Sequence, residues 1–401
     1  MASAIPFFCY TAVGSDRKGY AVEKVSIATA TSYEISPLRD AVTRLLEPLG
    51  GMSAFINRGD RVLLKPNMLS AKDPDKAVTT HPSLVQVVAG LVTEAGGVVF
   101  IGDSPGIGGF ARVAEKCGFS GAARESGATL VEFKEGIDLQ GNGMFRSIRL
   151  ARDYYEADKI INLPKLKTHE MMTMTCAVKN LFGAVIGTEK AGWHLKAGSS
   201  RELFAKLLLE IYLLKKPALN IVDAVIAMEG NGPGSGDPVR RGLLIAGMNP
   251  VAVDVVAGKL AGIPADLLYV EREAVKMALP GSVISDISLC GAPVASIGEL
   301  RFRLPDGLDV QFGLPRFLTK ALKHQLTSYP AADKNTCVLC GVCRDACPPG
   351  AITIQNSALS VDNARCIRCW CCRELCPHDA MMTTRGLLLR ILILLSGTKT
   401  A

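Results

Sequence analysis

Apolar and polar positions in the first ~300 residues follow the rhythm of an α/β fold. Short apolar runs rich in β-branched residues alternate with longer segments of helical periodicity, and polar or Gly-rich turns separate them. This order is typical of a mostly parallel sheet with flanking helices. Strands are predicted at 61–64, 98–102, 159–163, 219–222 and 243–246. Helices are predicted at 83–95, 110–116, 171–186, 201–214 and 251–261.

The first four predicted strands each end at a polar or Gly-rich turn, at 65–67, 103–106, 164–169 and Asp223. Ligands of open parallel sheets bind outside the carboxyl ends of the strands. The sequence therefore predicts that these turns form the binding site of the domain.

Composition divides the chain into four parts. Residues 1–309 carry the α/β pattern, and residues 310–332 are predicted to be a linker. Residues 333–385 are rich in cysteine and are predicted to be a small C-terminal α+β domain, and residues 386–401 form an apolar tail.

The cysteine-rich segment contains an internal duplication. Two runs share the spacing C-x2-C-x2-C-x3-C-P, and corresponding cysteines lie 29 residues apart. In such a run the first three cysteines bind one iron–sulfur cluster, and the fourth, before a proline, binds the other cluster of a two-cluster ferredoxin. We therefore predict two [4Fe–4S] clusters in a domain that resembles a bacterial-type ferredoxin. The predicted ligand sets are Cys337, Cys340, Cys343 and Cys376 for one cluster, and Cys366, Cys369, Cys372 and Cys347 for the other.

Zinc is the alternative cofactor for this segment, but zinc favours four ligands in two CxxC pairs, whereas this segment has eight cysteines in a doubled run. Cys371 lies inside the second run and outside both ligand sets. We interpret it as a bystander thiol, with a role as substitute ligand in a damaged cluster as the alternative. The other cysteines are predicted to be small buried residues: Cys9, Cys117, Cys176 and Cys290.

The densest group of candidate catalytic residues follows the third predicted strand. Lys165 and Lys167, with the N-terminus of the next predicted helix, would concentrate positive potential that suits a carboxylate or phosphate. Lys179 lies in an otherwise apolar run, where a lysine needs a partner. We predict that these lysines hold an anionic small molecule and that His169 or Asp103 moves a proton. The alternative is a solvated basic loop.

Gly-rich segments supply the candidate cofactor-binding residues. Segment 102–109 lacks the G-x-G-x-x-G fingerprint of dinucleotide sites, but its backbone before a helix suits an anion, with a tight turn as the alternative. The loop at 229–234 carries groups that suit Mg²⁺ or a pairing with the lysines, with solvated loop residues as the alternative. The candidates are Lys65, Asn67, Ser104, Gly106, Glu229 and Asn231.

Several motifs occur together in a fixed order: LLKPN at 63–67, THP at 80–82, GDSPG at 102–106, NLPKLKTH at 162–169, AVKNLFG at 177–183 and EGNGP at 229–233. On these motifs, roughly residues 24–300 resemble the domain-of-unknown-function 362 family. Many members of that family carry a C-terminal two-cluster ferredoxin domain. The resemblance implies an association with iron–sulfur redox proteins and does not imply a particular reaction.

The net charge and the targeting signals of the chain predict its partners and its compartment. The net charge of +7, from 45 basic and 38 acidic residues, predicts no nucleic-acid partner. The N-terminus lacks the pattern of a signal peptide, and no stretch reaches the ~20 apolar residues of a spanning helix, so we expect a cytoplasmic protein. A short basic helix is predicted at 316–326. The apolar run at 387–395 is expected to dock on a core or dimer partner, or to contact a membrane peripherally.

The predicted function is an oxidoreductase whose clusters pass single electrons to or from an anionic ligand in the α/β domain, with a redox partner protein. One alternative is a ferredoxin-type carrier without chemistry of its own, whose α/β domain docks a partner enzyme. Another is a maturation protein that holds a metal or a cofactor.

Overall fold

The structure, a computed structural model, describes residues 22–306 and 328–386 together with residue 388, except for residues 107–108, 188, 294–296 and 298–299. Cys9, the basic helix predicted at 316–326 and nearly all of the apolar tail therefore lie outside the described residues.

A mixed, mostly parallel sheet of ten strands forms the centre of the α/β domain, which confirms the predicted fold class. The strands of this domain, including the separate hairpin β5–β6, are β1 Glu23–Thr29, β2 Arg61–Pro66, β3 Val98–Asp103, β4 Thr129–Glu132, β5 Gly136–Gln140, β6 Ser147–Ala151, β7 Lys159–Leu163, β8 Lys165–His169, β9 Thr173–Thr175, β10 Leu219–Glu229, β11 Asp237–Gly247 and β12 Ile287–Gly291. The edge-to-edge order of the sheet is β12-β1-β11-β10-β7-β2-β3-β4, with β8 attached to β10 and β9 to β8.

Helices pack against this sheet through three clusters of buried apolar side chains. Two of the predicted helices, at 110–116 and 201–214, have the predicted bounds. The helices of the described α/β domain are α1 Ile35–Leu46, α2 Pro82–Glu94, α3 Phe110–Lys116, α4 Phe119–Ser126, α5 Arg152–Glu156, α6 Ala177–Asn180, α7 Glu189–Ala197, α8 Arg201–Leu214, α9 Pro250–Leu260 and α10 Tyr269–Lys276. Short 3₁₀ turns lie at Glu47–Leu49, Met52–Ala54, Pro74–Lys76, Leu181–Ala184, Ala265–Leu267 and Ile284–Asp286.

The prediction of one helix at 171–186 was wrong. Thr173, with φ of 65°, reverses the chain so that β9 returns antiparallel to β8, and only then does the four-residue helix α6 begin. The Asp254 carboxylate accepts hydrogen bonds from the backbone N–H groups of Ala177 and Val178 and so fixes the start of that helix. The apolar run was misleading because the segment is buried nearly all round, whatever its secondary structure.

The prediction of a turn at 164–169 was also wrong, because residues 165–169 form strand β8. This strand continues after β7 and pairs in parallel with β10, which is long enough to serve both β7 and β8. The two lysines of this segment therefore have buried, strand-bound positions in place of a solvated loop.

A small α+β unit follows at the C-terminus. In it, β13 Ser328–Ala332 pairs with β16 Met381–Arg385, and β14 Ile352–Gln355 pairs with β15 Ala358–Val361. Strand β13 falls inside the segment predicted as a linker. Each cysteine run carries one helical turn, α11 at Val342–Asp345 and α12 at Cys371–Glu374, and these turns lie 29 residues apart.

The duplication extends to the backbone of the two runs. Left-handed residues recur at equivalent positions, with positive φ at Leu339 and Arg368 and again at Gly341 and Trp370. Trp370 is 2% exposed and belongs to the same apolar cluster as Phe182 of the α/β domain. The second run is thus part of the core of the larger domain. Within the residues that the structure describes, no helix has the length and apolar character needed to cross a membrane.

Candidate functional site

A cavity of about 530 Å³ lies between the α/β domain and the C-terminal unit. Its size is in the range of small-molecule and cofactor sites. The carboxyl ends of β2 and β3 supply one wall, as expected for a parallel sheet. Polar lining residues from the α/β domain include Asn67, Asp103, Ser104, Lys167, Thr175, Lys179, Asn180 and Lys190.

The opposite wall comes from both cysteine runs. Val342, Asp345 and Ala346 line the cavity from the first run. Their counterparts 29 residues later, Cys371, Glu374 and Leu375, line it from the second run. The cavity therefore faces the same three positions of each cysteine run.

Three lysines line the cavity, and they differ in how their ammonium groups are hydrogen-bonded. Lys167 Nζ donates to Asn67 Oδ1 at 3.0 Å and to the carbonyl of Val78 at 2.7 Å. Lys190 Nζ donates to the carbonyl of Ser104. Within the described part of the chain, no hydrogen bond or ion pair reaches Lys179 Nζ.

Burial lowers the pKa of all three lysines, because it penalises the charged ammonium form. The pKa of Lys167 falls to about 7 and that of Lys190 to about 8, and the pKa of Lys179 is also lowered. The Glu374 carboxylate opposes the shift at each lysine from across the cavity. An anion bound among these lysines would restore their charged forms.

Asp103 is fixed at the cavity wall by a buried ion pair. Lys65 Nζ lies 2.8 Å from Asp103 Oδ1, and Asp103 Oδ2 accepts a hydrogen bond from the Met68 N–H at 2.8 Å. A Cβ atom at Gly183 would overlap both Asp103 Oδ1 and Lys65 Nζ. Only glycine at this position leaves room for the pair.

A chain of amide side chains orients the polar floor. Asn67 Nδ2 donates to Asn180 Oδ1 at 3.1 Å, and Asn180 Nδ2 donates to Asn162 Oδ1 at 2.8 Å. Asn162 Nδ2 then donates to Asn220 Oδ1 at 2.9 Å. Since each amide donates along the chain, the Asn67 oxygen is left to accept from Lys167.

Lys165 and His169 lie outside the cavity lining. Lys165 Nζ donates to Asp223 Oδ2 at 2.7 Å, to Tyr33 Oη at 3.0 Å and to the Ile226 carbonyl at 2.9 Å, which uses all three of its protons. His169 Nδ1 accepts from the backbone N–H of Met171 at 3.0 Å and so supports the turn after β8. Burial holds the pKa of His169 well below its usual value, so the imidazole is neutral.

Three of the predicted cofactor-binding residues also lie outside the cavity lining. Lys65 is fully buried in its pair with Asp103. Glu229 pairs with Arg241 at 2.8 Å, and Asn231 exchanges hydrogen bonds of 2.9 Å with Asp306. These contacts hold the loop after β10 against residues 300–306. The predicted site residues that the structure brings together at the cavity are Asn67, Asp103, Ser104, Gly106, Lys167 and Lys179.

Sequence reasoning missed several lining residues. Lys190 stands on α7, a helix without a distinctive motif, and Thr175 falls in the segment predicted as a helix. A comparison of the two runs could have singled out Cys371 and Glu374, because the first run carries Val342 and Asp345 at the equivalent positions. That comparison alone does not reveal that they face the lysines.

The eight repeated cysteines surround two small cavities, and each cavity is lined by one predicted ligand set. Equivalent backbone N–H groups point at sulfur: Ala351 donates to Cys347 Sγ at 3.2 Å, and Ala380 donates to Cys376 Sγ at 3.3 Å. Turns with left-handed residues form amide-lined concavities of the kind that bind iron–sulfur clusters. Among the described residues, no three His, Cys, Asp or Glu side chains converge on one point as for a single metal ion. The residues present fit a cluster in each cavity.

Several bonds hold the C-terminal unit over the large cavity. Lys72 Nζ binds Asp379 at 2.7 Å, and Ser235 Oγ donates to the same carboxylate at 2.6 Å. Arg373 Nη1 donates to the buried Glu170 Oε1 at 2.6 Å. Specific polar contacts as well as apolar packing therefore hold the C-terminal unit against the α/β domain.

Two comparisons with individual proteins place the chain among known sequences and structures. The chain is 39% identical over 307 residues to a thylakoid-associated protein of Synechocystis sp., an alignment that covers 76% of this chain and 94% of that protein. The lactate racemase apoprotein from Thermoanaerobacterium thermosaccharolyticum superposes with a TM-score of 0.42 at 10% identity, over 61% of this chain. The match spans 57% of the racemase chain, a little over half of its length.

Family models match both parts of the chain. Residues 329–377 match a 4Fe-4S dicluster domain, and residues 62–259 match the domain of unknown function DUF362. The motifs at 63–67, 102–106, 162–169 and 177–183 contribute residues to the cavity wall or to the amide chain described above. The chain belongs to the DUF362 family and carries a 4Fe-4S dicluster domain at its C-terminal end.

Proposed function

We propose that this protein is an iron–sulfur oxidoreductase in which two [4Fe–4S] clusters exchange single electrons with an anionic ligand in the interdomain cavity. The observation that carries the proposal is the lining of that cavity by equivalent residues of both cysteine runs. A ligand bound there would lie beside both clusters. Neither cysteine run alone would offer this arrangement.

The proposed ligand sets are the two cysteine groups that surround the small cavities. Bound clusters would supply one-electron transfer at a potential set by thiolate ligation and by hydrogen bonds to sulfur. The chain holds the sulfurs with two short helical turns and directs backbone N–H groups at them. The buried Trp370 lines the second small cavity and excludes water from that side.

The charges of the cavity support an anionic ligand. Lys167, Lys179 and Lys190 converge there, while the Asp103 carboxylate is already paired with Lys65. Three close ammonium groups repel one another at low dielectric, and an anion relieves that repulsion. We assign the three lysines to ligand binding and Asp103 to holding the polar wall in position.

A redox partner protein is proposed for the exposed side of the C-terminal unit. Cys340 is exposed, and its neighbour Val338 is 61% exposed, whereas the equivalent Cys369 is buried against the α/β domain. This asymmetry favours electron entry through the first run and delivery to the cavity. The same exposed surface would serve a ferredoxin-type carrier, which is the second candidate function.

The experiment that tests the proposal uses anaerobically purified protein. Two [4Fe–4S] clusters contain eight iron atoms, so iron and sulfide analysis should give about eight of each per chain. Clusters reduced with dithionite should then be reoxidised by at least one member of a panel of carboxylates and phosphate esters. Lys179→Gln should slow that reoxidation, and Lys134→Gln, a change at a residue with a 75% exposed side chain, should not.

The outcomes separate the candidates. About four irons or zinc in place of iron would contradict the two-cluster assignment. Full iron content with no reoxidation by any member of the panel, together with rapid exchange with a protein acceptor, would favour the carrier. Nucleotide or extra metal released on denaturation would favour a maturation role.

We further propose that the protein works in the cytoplasm, and the thylakoid association of the Synechocystis relative supports contact with a membrane there. Cell fractionation tests this. Recovery in the soluble fraction, with a share on membranes that is lost when residues 387–401 are deleted, is the expected result. An exclusively periplasmic or secreted protein would contradict the proposal.

A further inference from the structure

The interdomain cavity is larger than a small anion among its lysines would need. Its volume of about 530 Å³ would hold on the order of 18 water molecules at about 30 Å³ each. A sulfate or acetate ion beside Lys167, Lys179 and Lys190 would fill only a small part of that space. The rest of the lining therefore indicates what else the ligand carries.

An apolar patch forms another part of the cavity wall. Val342, Ala346 and Leu375 of the C-terminal unit belong to it, together with Leu69 of the α/β domain. The two leucines meet at Gly106, where a Cβ atom would lie 3.1 Å from Leu375 Cδ2 and 3.6 Å from Leu69 Cδ1. The patch is thus continuous from one domain to the other, and it suits an apolar group of the ligand.

The patch lies next to the proposed ligands of both clusters. Val342 and Leu375 each directly precede a cysteine of one ligand set, and Ala346 directly precedes a cysteine of the other. A group that rests on the patch is therefore close to both clusters. The part of the ligand that exchanges electrons should lie here, away from the charged group that the lysines bind.

Two buried polar groups at the cavity indicate that the ligand carries further polar atoms. Thr175 and His194 are 3% and 6% exposed, and Thr175 Oγ1 and His194 Nδ1 have no hydrogen-bond partner among the described residues. The His194 ring is stacked on Phe204 with a centroid distance of 4.4 Å and lies edge-on to Phe182 at 5.8 Å. Burial lowers the pKa of His194 to about 3, so the ring is neutral and has one donor and one acceptor nitrogen. Buried polar groups without partners are costly, and polar atoms of a bound ligand would satisfy them.

Resting on the proposed function, we infer that the ligand is a conjugated organic anion, with its charged group at the lysines and a carbonyl-bearing ring on the apolar patch. Iron–sulfur clusters transfer one electron at a time. A conjugated ring accepts electrons singly because it delocalises the unpaired electron of its half-reduced form, whereas an isolated carbonyl or alkene does not. Quinones and flavins that carry an anionic group share this chemistry.

The reaction balances with one external electron donor. Reduction of the ring consumes two electrons, which come from a low-potential one-electron donor protein by way of the clusters, and two protons from water. It converts the two carbonyl groups of a quinone to hydroxyl groups, or two ring nitrogens of a flavin to N–H groups. No bond between ligand and protein forms or breaks. The lysines retain the ligand between the two electrons.

The first test measures binding without electron transfer, by equilibrium dialysis of oxidised, cluster-loaded protein. Anthraquinone sulfonate is compared with methanesulfonate, which lacks the ring, and with hydroxymethyl anthraquinone, which lacks the charge. Flavin mononucleotide is compared in the same way with phosphate and with riboflavin. At least one ring anion should bind about tenfold more tightly than both of its partial analogues, because apolar contact and charge each contribute. If neither ring anion does so, the inference is overturned.

Substitutions then locate the ring. Leu69→Ala should weaken binding of the preferred ring anion about fivefold and leave binding of its ring-free analogue unchanged. Leu195→Ala, at a leucine that is 49% exposed, is the matched control and should change neither. Thr175→Val keeps the size of the side chain and should weaken ring binding about fivefold through loss of a hydrogen bond. Unchanged ring binding in both Leu69→Ala and Thr175→Val, each with full iron content, overturns the inference.

The second test follows reoxidation of dithionite-reduced protein by the preferred ring anion. The rate should saturate with ligand concentration, and Leu69→Ala should raise the half-saturating concentration about fivefold. A rate that rises linearly without saturation shows collision in solution and overturns the inference. Reoxidation by a non-conjugated anion, with no ring binding, would overturn it while leaving the proposed function standing. Protein that holds no clusters would refute the proposed function itself.

Discussion

At Gly183 the lack of a side chain leaves room for a buried lysine and its carboxylate partner. The Lys65–Asp103 pair beneath it is nearly inaccessible to solvent, with side-chain exposures of 0% and 4%. A buried pair of this kind is tolerated only when its geometry is good and its other polar atoms are bonded. Even a small substitution beside this pair should therefore disturb the cavity wall.

Gly183→Ala is expected to destabilise the protein by about 1–3 kcal/mol, because the new methyl group overlaps both members of the pair. Urea unfolding of the cluster-loaded protein measures the effect. Gly121→Ala is the matched control, since no atom lies within 4 Å of a Cβ placed there. Equal stability of the two variants would show that the pair is not confined as described.

The cavity lysines predict that anion binding depends on pH. Burial lowers the pKa of Lys167 to about 7 and of Lys190 to about 8, so part of their charge is absent above those values in the free protein. A bound anion favours the ammonium forms, so binding takes up protons and is tightest below pH ~7. Sulfate, whose charge is constant over this range, should bind about tenfold more weakly at pH ~8.5 than at pH ~6.5 by calorimetry.

Lys179→Gln should weaken sulfate binding at both pH values, and Lys134→Gln should change neither. A sulfate affinity that is flat or that rises with pH would contradict the assignment of these lysines.

At the scale of elements, one strand and one short helix decide where the functional side chains lie. Strand β8 follows β7 and places Lys167 in the interior. There the Asn67 side chain and the Val78 carbonyl accept hydrogen bonds from the Lys167 ammonium group. The start of α6 depends on a single buried carboxylate, Asp254, on the distant helix α9. Lys179 and Asn180 take their positions from that start.

Asp254→Ala should remove the acceptor of two buried N–H groups and lower the free energy of unfolding by about 2–4 kcal/mol. Asp254→Asn keeps one acceptor oxygen and should lose less. Denaturant unfolding measures stability, and sulfate calorimetry tests whether α6 has moved. An alanine variant as stable as the wild type would show that another group fixes the helix start.

At the scale of the molecule, the C-terminal unit supplies one wall of the site. Its contacts with the α/β domain combine apolar burial of Trp370 with polar bonds at Asp379 and at Arg373. Glu170, the partner of Arg373, has a side chain that is only 1% exposed. Loss of that carboxylate would leave a largely buried guanidinium without its charge partner.

Glu170→Ala is expected to lower the free energy of unfolding by about 3–5 kcal/mol, because breaking a buried pair leaves the partner charge uncompensated. It should also loosen the docking of the C-terminal unit. Acrylamide quenching of Trp370 fluorescence, measured in a Trp193→Phe background, should increase. Lys116→Ala, at an exposed pair 3.9 Å apart, is the control and should have no effect. Unchanged quenching in the Glu170 variant would show that apolar packing alone holds the unit in place.

The sequence by itself determined the features that depend on local spacing. The two cysteine runs predict their chemistry because three of the four proposed ligands of each cluster lie within a few residues of each other, and the fourth ends the other run. The bounds of helices α3 and α8 could be predicted because apolar periodicity is a property of short segments. The motifs at strand ends likewise indicated the correct edge of the sheet, and Asn67, Asp103 and Lys167 do meet there.

Only the tertiary structure decided which candidates share a site. Lys165 and Lys167 are two residues apart on one strand. Lys165 donates its hydrogen bonds to Asp223 and Tyr33, whereas Lys167 lines the cavity. The second run faces these lysines because Trp370 packs into the larger domain, a contact between residues far apart in the chain. Long-range packing of this kind leaves no periodic signal in the sequence, since it depends on how separately formed elements bury their surfaces together.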